Sequence, residues 1–123
     1  MERDAADVLN LLISADNTMG ITFTENIRIW DISTGKQKGF IPYVDNAFTQ
    51  TGAISPDQTL LVLGDENGQL HFWDLQKMTG VAVLAKKFIN AHTGPVNAIA
   101  FNHEGTAILT AAEDGIVRLW GIP

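Results

Sequence analysis

The chain has 123 residues, of which 46% are hydrophobic and 18% charged, with a net charge of −6. That balance fits one folded domain with a moderate core and excludes a disordered chain. The acidic excess argues against binding a bare nucleic-acid backbone, and the absence of cysteine excludes disulfide frameworks and thiolate metal sites.

From the N-terminus, Met1-Glu2-Arg3-Asp4 is acidic, and the apolar run Val8 to Ile13 is too short for a signal core or a membrane span. The chain therefore reads as soluble and cytoplasmic, with no membrane partner. Val8 to Ile13 reads instead as a strand, ended by the turn cluster Ser14-Ala15-Asp16-Asn17-Thr18. Met19 to Thr24 and Ile27 to Trp30 follow as strands, joined through Glu25-Asn26. After the turn at Asp31 to Gly35, Gln37 to Tyr43 reads as an edge strand, suited by Lys36, Lys38 and Pro42.

A second unit repeats the first. Phe48 to Ile54 leads into Ser55-Pro56-Asp57-Gln58-Thr59, which aligns with Ser14 to Thr18. Leu60 to Leu63 and Leu70 to Trp73 flank Gly64-Asp65-Glu66-Asn67-Gly68, predicted as an Asn-Gly hairpin with left-handed torsions. Val81 to Ile89 closes this unit as a single strand carrying Lys86-Lys87. In the third unit, Asn90 to Pro95 leads into the strand Val96 to Phe101, then the turn Asn102 to Thr106. Strands at Ala107 to Ala111 and Ile116 to Trp120 surround Glu113-Asp114-Gly115. No helical period runs for ten residues, so the class is all-β. The strands are apolar at almost every position, which points to small sheets covered on both faces.

Each unit carries a similar motif in its third strand: Ile27-Arg28-Ile29-Trp30-Asp31, Leu70-His71-Phe72-Trp73-Asp74 and Ile116-Val117-Arg118-Leu119-Trp120. The tryptophans are 43 and 47 residues apart, a period that signals a repeat architecture. With Trp30-Asp31, Trp73-Asp74, Ala91-His92, Ser55-Pro56-Asp57 and Asp114-Gly115, the chain resembles the WD-repeat β-propeller family from about Val8 to Trp120. The resemblance implies a propeller segment of about three four-stranded antiparallel blades, the last incomplete and lacking its fourth strand, near residues 4–44, 45–90 and 91–123 of a single domain.

The family's buried network of imidazole, hydroxyl, carboxylate and indole then maps in full only onto the third unit, as His92, Thr110, Asp114 and Trp120. At the first three of these positions the second unit offers Asp45, Leu63 and Asn67. The first offers Asp4, Gly20 and no clear acid, so both are expected to rest on apolar packing. His71 stands where Arg28 and Arg118 stand and is expected on the surface of its strand.

Chemistry has little foothold in these residues. A His92–Asp114 dyad would need Thr110, inside a strand, as its nucleophile, and the structural network explains the same residues. The pairs Asp65-Glu66 and Glu113-Asp114 read as solvated hairpins, and no His and carboxylate spacing resembles a metal site. No catalytic, cofactor or metal residues are assigned. The resemblance implies a non-catalytic scaffold that binds other proteins. The alternatives are an inactive partial propeller forming the C-terminal part of a longer protein, or a propeller enzyme.

Loops alternate between the two ends of an antiparallel sheet, so the entries to the first strands share a rim with the second-to-third hairpins. That rim collects Asp4, Glu25, Asp45, Asp65, Glu66 and Glu113, with Asp114 buried, against Arg3 alone; the opposite rim has mixed charge. Asp45, Gln50, Asp65, Glu66, Asn97 and Glu113 are the expected partner-binding rim, suited to a basic peptide or loop. An arc of about three blades would also leave apolar end faces. The expectation is self-association or completion by another propeller chain, including strand addition to the third unit.

Overall fold

A computed structural model of the chain describes residues 10–24, 26–41, 49–77, 80–81 and 83–121, with side chains at 50 and 80–90 left aside. Among the described residues there are twelve strands: β1 (Asn10–Ile13), β2 (Met19–Phe23), β3 (Ile27–Asp31), β4 (Lys36–Ile41), β5 (Thr49–Ile54), β6 (Leu60–Asp65), β7 (Gln69–Asp74), β8 (Gly80–Val81), β9 (Val83–Asn90), β10 (Val96–Phe101), β11 (Ala107–Ala112) and β12 (Val117–Gly121). They form three sheets, ordered β1-β2-β3-β4-β8, β5-β6-β7-β9 and β10-β11-β12. Among the described residues the sheets hold five, four and three strands, so the third sheet lacks a fourth strand as expected and the first has one more than expected.

The extra strand has a physical cause. The stretch expected as one strand from Val81 to Ile89 is divided between two sheets. Its start, β8, pairs in parallel with β4 (Gly39 with Gly80, Phe40 with Val81), whereas β9 runs antiparallel to β7. The connection after β7 therefore covers part of the β4 edge before returning to its own sheet, satisfying ladder groups that would otherwise face water. Among the described residues the pairing to β8 covers Gly39 and Phe40 and leaves Lys36 to Lys38 without a partner strand on that side.

Side chains alternate between the faces of each sheet. We call the face toward the preceding sheet the front and the other the back. Met19, Ile21, Phe23, Ile27, Ile29 and Ile41 on the back of the first sheet pack against Leu61, Leu63 and Trp73 on the front of the second. Val62, Leu70 and Phe72 on the back of the second sheet meet Val96, Ile108 and Trp120 on the front of the third. Ile21, Phe23, Ile29, Val62, Leu70 and Ile108 have no exposed surface. Burial of such side chains contributes about 1.5–3 kcal/mol each, so these two junctions hold the sheets together.

The turn clusters after β1 and β5 share one construction. Asp16 accepts hydrogen bonds from the Ser14 hydroxyl (2.9 Å), the Thr18 amide (2.9 Å) and the Thr18 hydroxyl (2.6 Å). Asp57 accepts from the Ser55 hydroxyl (2.7 Å) and from the amide (3.1 Å) and hydroxyl (2.8 Å) of Thr59. Asn17 and Gln58 take left-handed torsions, φ 63° and 64°, to let the chain reverse around these carboxylates. The donors hold both carboxyl groups below their ordinary range, chiefly through Thr18 for Asp16 and Ser55 for Asp57.

Candidate functional site

The third sheet contains a closed relay of side chains. The Trp120 indole N–H donates to Thr110 Oγ1 (3.1 Å), Thr110 Oγ1 lies 2.8 Å from His92 Nε2, and His92 Nδ1 lies 3.0 Å from Asp114 Oδ2. One proton arrangement satisfies all of them: Thr110 donates to Nε2 while His92 donates from Nδ1 to the carboxylate. Asp114 also accepts from the amides of Thr93 (3.0 Å) and Ile116 (3.0 Å). Burial opposes ionisation of Asp114, but those amides and then His92 outweigh it and hold the carboxyl below its ordinary range. Asp114 therefore clamps the loop entering β10 onto the β11–β12 hairpin, with Glu113 N donating to Pro95 O (3.0 Å) alongside.

The second sheet adds a buried polar pair to the apolar packing expected to hold it in the main. Asp65 is not on the solvated rim: its side chain is fully buried, and its Oδ2 lies 2.6 Å from Nε2 of His71. His71, expected on the surface, is 3% exposed. The reason is strand alternation. Leu63 faces His71 across β6 and β7, and Asp65, two residues on, shares their face against the first sheet. The other carboxylate oxygen accepts from the amides of Asn67 (2.8 Å) and Gln69 (2.9 Å). The hairpin turn also differs from the expected Asn-Gly form, since Gly68 alone has positive φ (83°) there and its amide bonds Asp65 O (3.3 Å). A side chain at Gly68 would collide with the carbonyl of His92, which ties this hairpin to the entry loop of the third sheet.

Each indole reports its local partner. Trp30 N–H donates to Thr22 Oγ1 at 2.9 Å, so the first sheet has a hydroxyl partner, and it comes from Thr22 and not from Gly20. The shorter β2–β3 hairpin moves the equivalent position by two residues: Thr22 faces Arg28 as Thr110 faces Arg118. In the second sheet the same position is Leu63, which has no acceptor. Among the described residues the buried Trp73 Nε1 accordingly has no hydrogen-bond partner.

Between the second and third sheets, a groove of about 250 Å³ opens on the rim that carries these hairpins. It is lined by Gly64, Asp65, Glu66, Pro95, Val96, Asn97 and Glu113. Gly64 is required there, because a Cβ at that position would lie 2.6 Å from the Val96 side chain. Glu66, Asn97 and Glu113 are exposed around it, whereas the Asp65 carboxylate is committed to His71. The structure thus brings Asp65, Glu66, Asn97 and Glu113 together. Gln50 falls on β5 but its side chain is outside the description, and Asp45 lies outside the described residues. Among the described residues no group of three or more His, Cys, Asp or Glu could hold a metal ion, and no helix is long and apolar enough to cross a membrane.

Residues 84–121 match the family model "WD domain, G-beta repeat". The chain is 33% identical over 100 residues to the Protein LST8 homolog of Drosophila pseudoobscura pseudoobscura, a match covering 77% of this chain and 31% of that protein. The chain belongs to the WD-repeat family. A further WD-repeat match is the Angio-associated migratory cell protein of Homo sapiens, 33% identical over 94 residues, covering 76% of this chain and 21% of that one. The crystal structure of the RRP9 WD40 repeats superposes with a TM-score of 0.83 at 18% identity, over 98% of this chain and 37% of that chain. The three WD-repeat sheets are therefore propeller blades, and the chain spans about a third or less of the length of these curated relatives.

Proposed function

We propose that the chain is a non-catalytic protein-interaction module, and that the groove between its second and third blades takes a basic side chain from an extended segment of a partner protein. The observation that carries this reading is the placement of Glu66 and Glu113 on two successive hairpins at one groove, with the Asn97 amide beside them and Val96 in its lining. Two carboxylates at the mouth of a partly apolar cleft favour a cation on an aliphatic stem, so lysine or arginine fits better than a compact metal ion. The chain's net charge of −6 would speed the encounter with a basic partner and weaken binding to nucleic acid. The relay through His92 and Asp114 acts here as positioning machinery, because it fixes the entry loop, which bears Pro95 and leads to Asn97 in β10, against Glu113.

The same relay supports the non-catalytic reading. Both His92 nitrogens are engaged, by Asp114 and Thr110, and Thr110 has no exposed surface from which to attack a substrate. His71 and Asp65 are paired and buried inside the sheet junction.

The test is selection from a peptide array in which lysine and arginine positions are varied, followed by anisotropy on the selected peptides. Basic peptides should be retained, and Glu66→Lys with Glu113→Lys should weaken them by at least about tenfold, chiefly through the on-rate. Raising salt should weaken binding in the same direction. No preference for basic peptides, or a preference indifferent to both charge reversals, refutes the proposal.

A further inference from the structure

Asn67 is the one asparagine in the chain that is followed by glycine. Such a pair is prone to spontaneous ring closure, because glycine has no side chain to shield its backbone nitrogen from the neighbouring side-chain carbonyl. Asn67 is exposed at the tip of the β6–β7 hairpin. The nitrogen that must attack, Gly68 N, is held by a 3.3 Å bond to Asp65 O, the longest of the backbone bonds that close turns and loops among the described residues. Other candidates are better guarded. Asp114 also precedes a glycine, but despite its burial the amides of Ile116 and Thr93 keep its carboxyl ionised, and a carboxylate resists attack at its carbon. Asn102 commits its side-chain oxygen to the amides of Thr106 (2.9 Å) and Ala107 (3.0 Å), and its side-chain nitrogen donates to Thr106 Oγ1 (2.9 Å).

The backbone around Asn67 has no slack. Gly68 O accepts from the amides of Ala91 (3.0 Å) and His92 (2.9 Å), which fastens this hairpin to the loop entering the third blade. The approach is so close that a Cβ on Gly68 would overlap His92 O. On the other side, Asn67 N donates to the buried Asp65 carboxylate (2.8 Å). These two anchors fix the spacing of Asn67 and Gly68, so an atom added to the backbone between them must break one or the other.

We infer that Asn67 is a site of spontaneous deamidation, and that its isoaspartate form releases the second-blade hairpin from the loop entering the third blade. Gly68 N, losing its proton to solvent, adds to Asn67 Cγ. The Cγ–Nδ2 bond then breaks and ammonia leaves with a solvent proton, giving a five-membered cyclic imide. Water opens the ring, and nothing is oxidised or reduced. Cleavage between the nitrogen and Cγ leaves aspartate on an ordinary backbone. Cleavage between the nitrogen and the main-chain carbonyl carbon leaves isoaspartate, whose backbone runs through Cβ and Cγ and is one atom longer. Either product sets a carboxylate beside Glu66, but only isoaspartate lengthens the chain between the two anchors. The modification does not depend on how the groove is used; only its effect on peptide binding rests on the proposed function.

The experiment incubates the folded full chain in mildly alkaline heavy-oxygen water, beside a sample unfolded in urea. Peptide mapping by mass spectrometry locates the incorporated oxygen, and isoaspartyl methyltransferase labelling measures isoaspartate. Conversion in the folded chain should concentrate at Asn67, and Asn67→Gln, whose longer side chain closes the ring poorly, should remove it. The isoaspartate fraction, separated by ion exchange, is compared with Asn67→Asp, which carries the same charge on an ordinary backbone; far-UV circular dichroism checks both folds. Losing a backbone bond at Gly68 O shifts the docking equilibrium by about tenfold, so hydrogen exchange at the Ala91 and His92 amides should be faster by at least about that factor in the isoaspartate form. That form should also bind basic peptides more weakly than Asn67→Asp. If neither form binds them, the groove reading fails while the exchange comparison still decides this inference. Asn67 left intact in the folded chain after the urea sample has converted overturns the site, as does equal isoaspartate in Asn67→Gln. Equal exchange at Ala91 and His92 in the isoaspartate and Asn67→Asp proteins overturns the release.

Discussion

Replacing Asp65 and replacing Glu66 should have opposite consequences, although the two carboxylates are adjacent in one hairpin. Asp65→Ala removes the acceptor for His71 Nε2 and for the amides of Asn67 and Gln69. His71 is 3% exposed and would be left without that partner inside the junction, at a cost of about 1–3 kcal/mol, and more if the imidazole is charged. The two amides lie in a part-buried turn where water can replace some of the loss, so the total falls at about 3–5 kcal/mol. Glu66 is exposed and makes no such contacts, so Glu66→Ala should stay within about 0.5 kcal/mol of wild type. For a chain of this size each kcal/mol moves the midpoint by about 3–6 °C, which predicts a drop on the order of 10–30 °C against a few degrees at most. Thermal melts by circular dichroism and urea titrations, at one fixed protein concentration because any dimer adds to stability, would measure both. If Asp65→Ala lies within about 1 kcal/mol of Glu66→Ala, the buried pair does not hold the second blade and the reasoning fails.

The unequal indoles give a second test: Trp120→Phe loses a hydrogen bond to Thr110, whereas Trp73→Phe removes an N–H that has no partner. Ring shrinkage is common to both, so urea unfolding should show Trp120→Phe costing about 1–2 kcal/mol more. Asp114→Ala should lower the melting temperature clearly more than Asn67→Ala, because Asp114 holds His92 and the Thr93 amide together; equal shifts would count against the clamp. Asp31 and Asp57 are held below the ordinary carboxyl value of 3.8, chiefly by hydrogen bonds from Ser33 and Ser55 respectively. A depressed folded value stabilises the fold fully above the unfolded value and is lost as pH falls through the folded one. Melting temperature should therefore hold steady down to about pH 4 and decline below it, and Asp57→Asn should make that decline shallower.

How far the sequence reaches depends on whether the physics is local. The Trp30, Trp73 and Trp120 spacing, the Ser-x-Asp turns and the runs of apolar residues set the strands and their repeat, because turn chemistry and side-chain period act over a few residues. Those same features placed β10 at its observed limits and most other strands within one or two residues of theirs. The role of Asp65 was only half legible: alternation counted from Leu61 and Leu63 points it inward, but beside Glu66 in a hairpin it looks solvated until a facing sheet removes the water. Nothing local divides Val81 to Ile89 between two sheets, because the β8 partner is β4, some forty residues away. The groove is likewise a product of packing, where Gly64 admits Val96 and two hairpins from successive repeats come side by side. Composition and period therefore determined the class of fold and the repeat, while the docking of one sheet on the next decided which polar residues are buried and which line the groove.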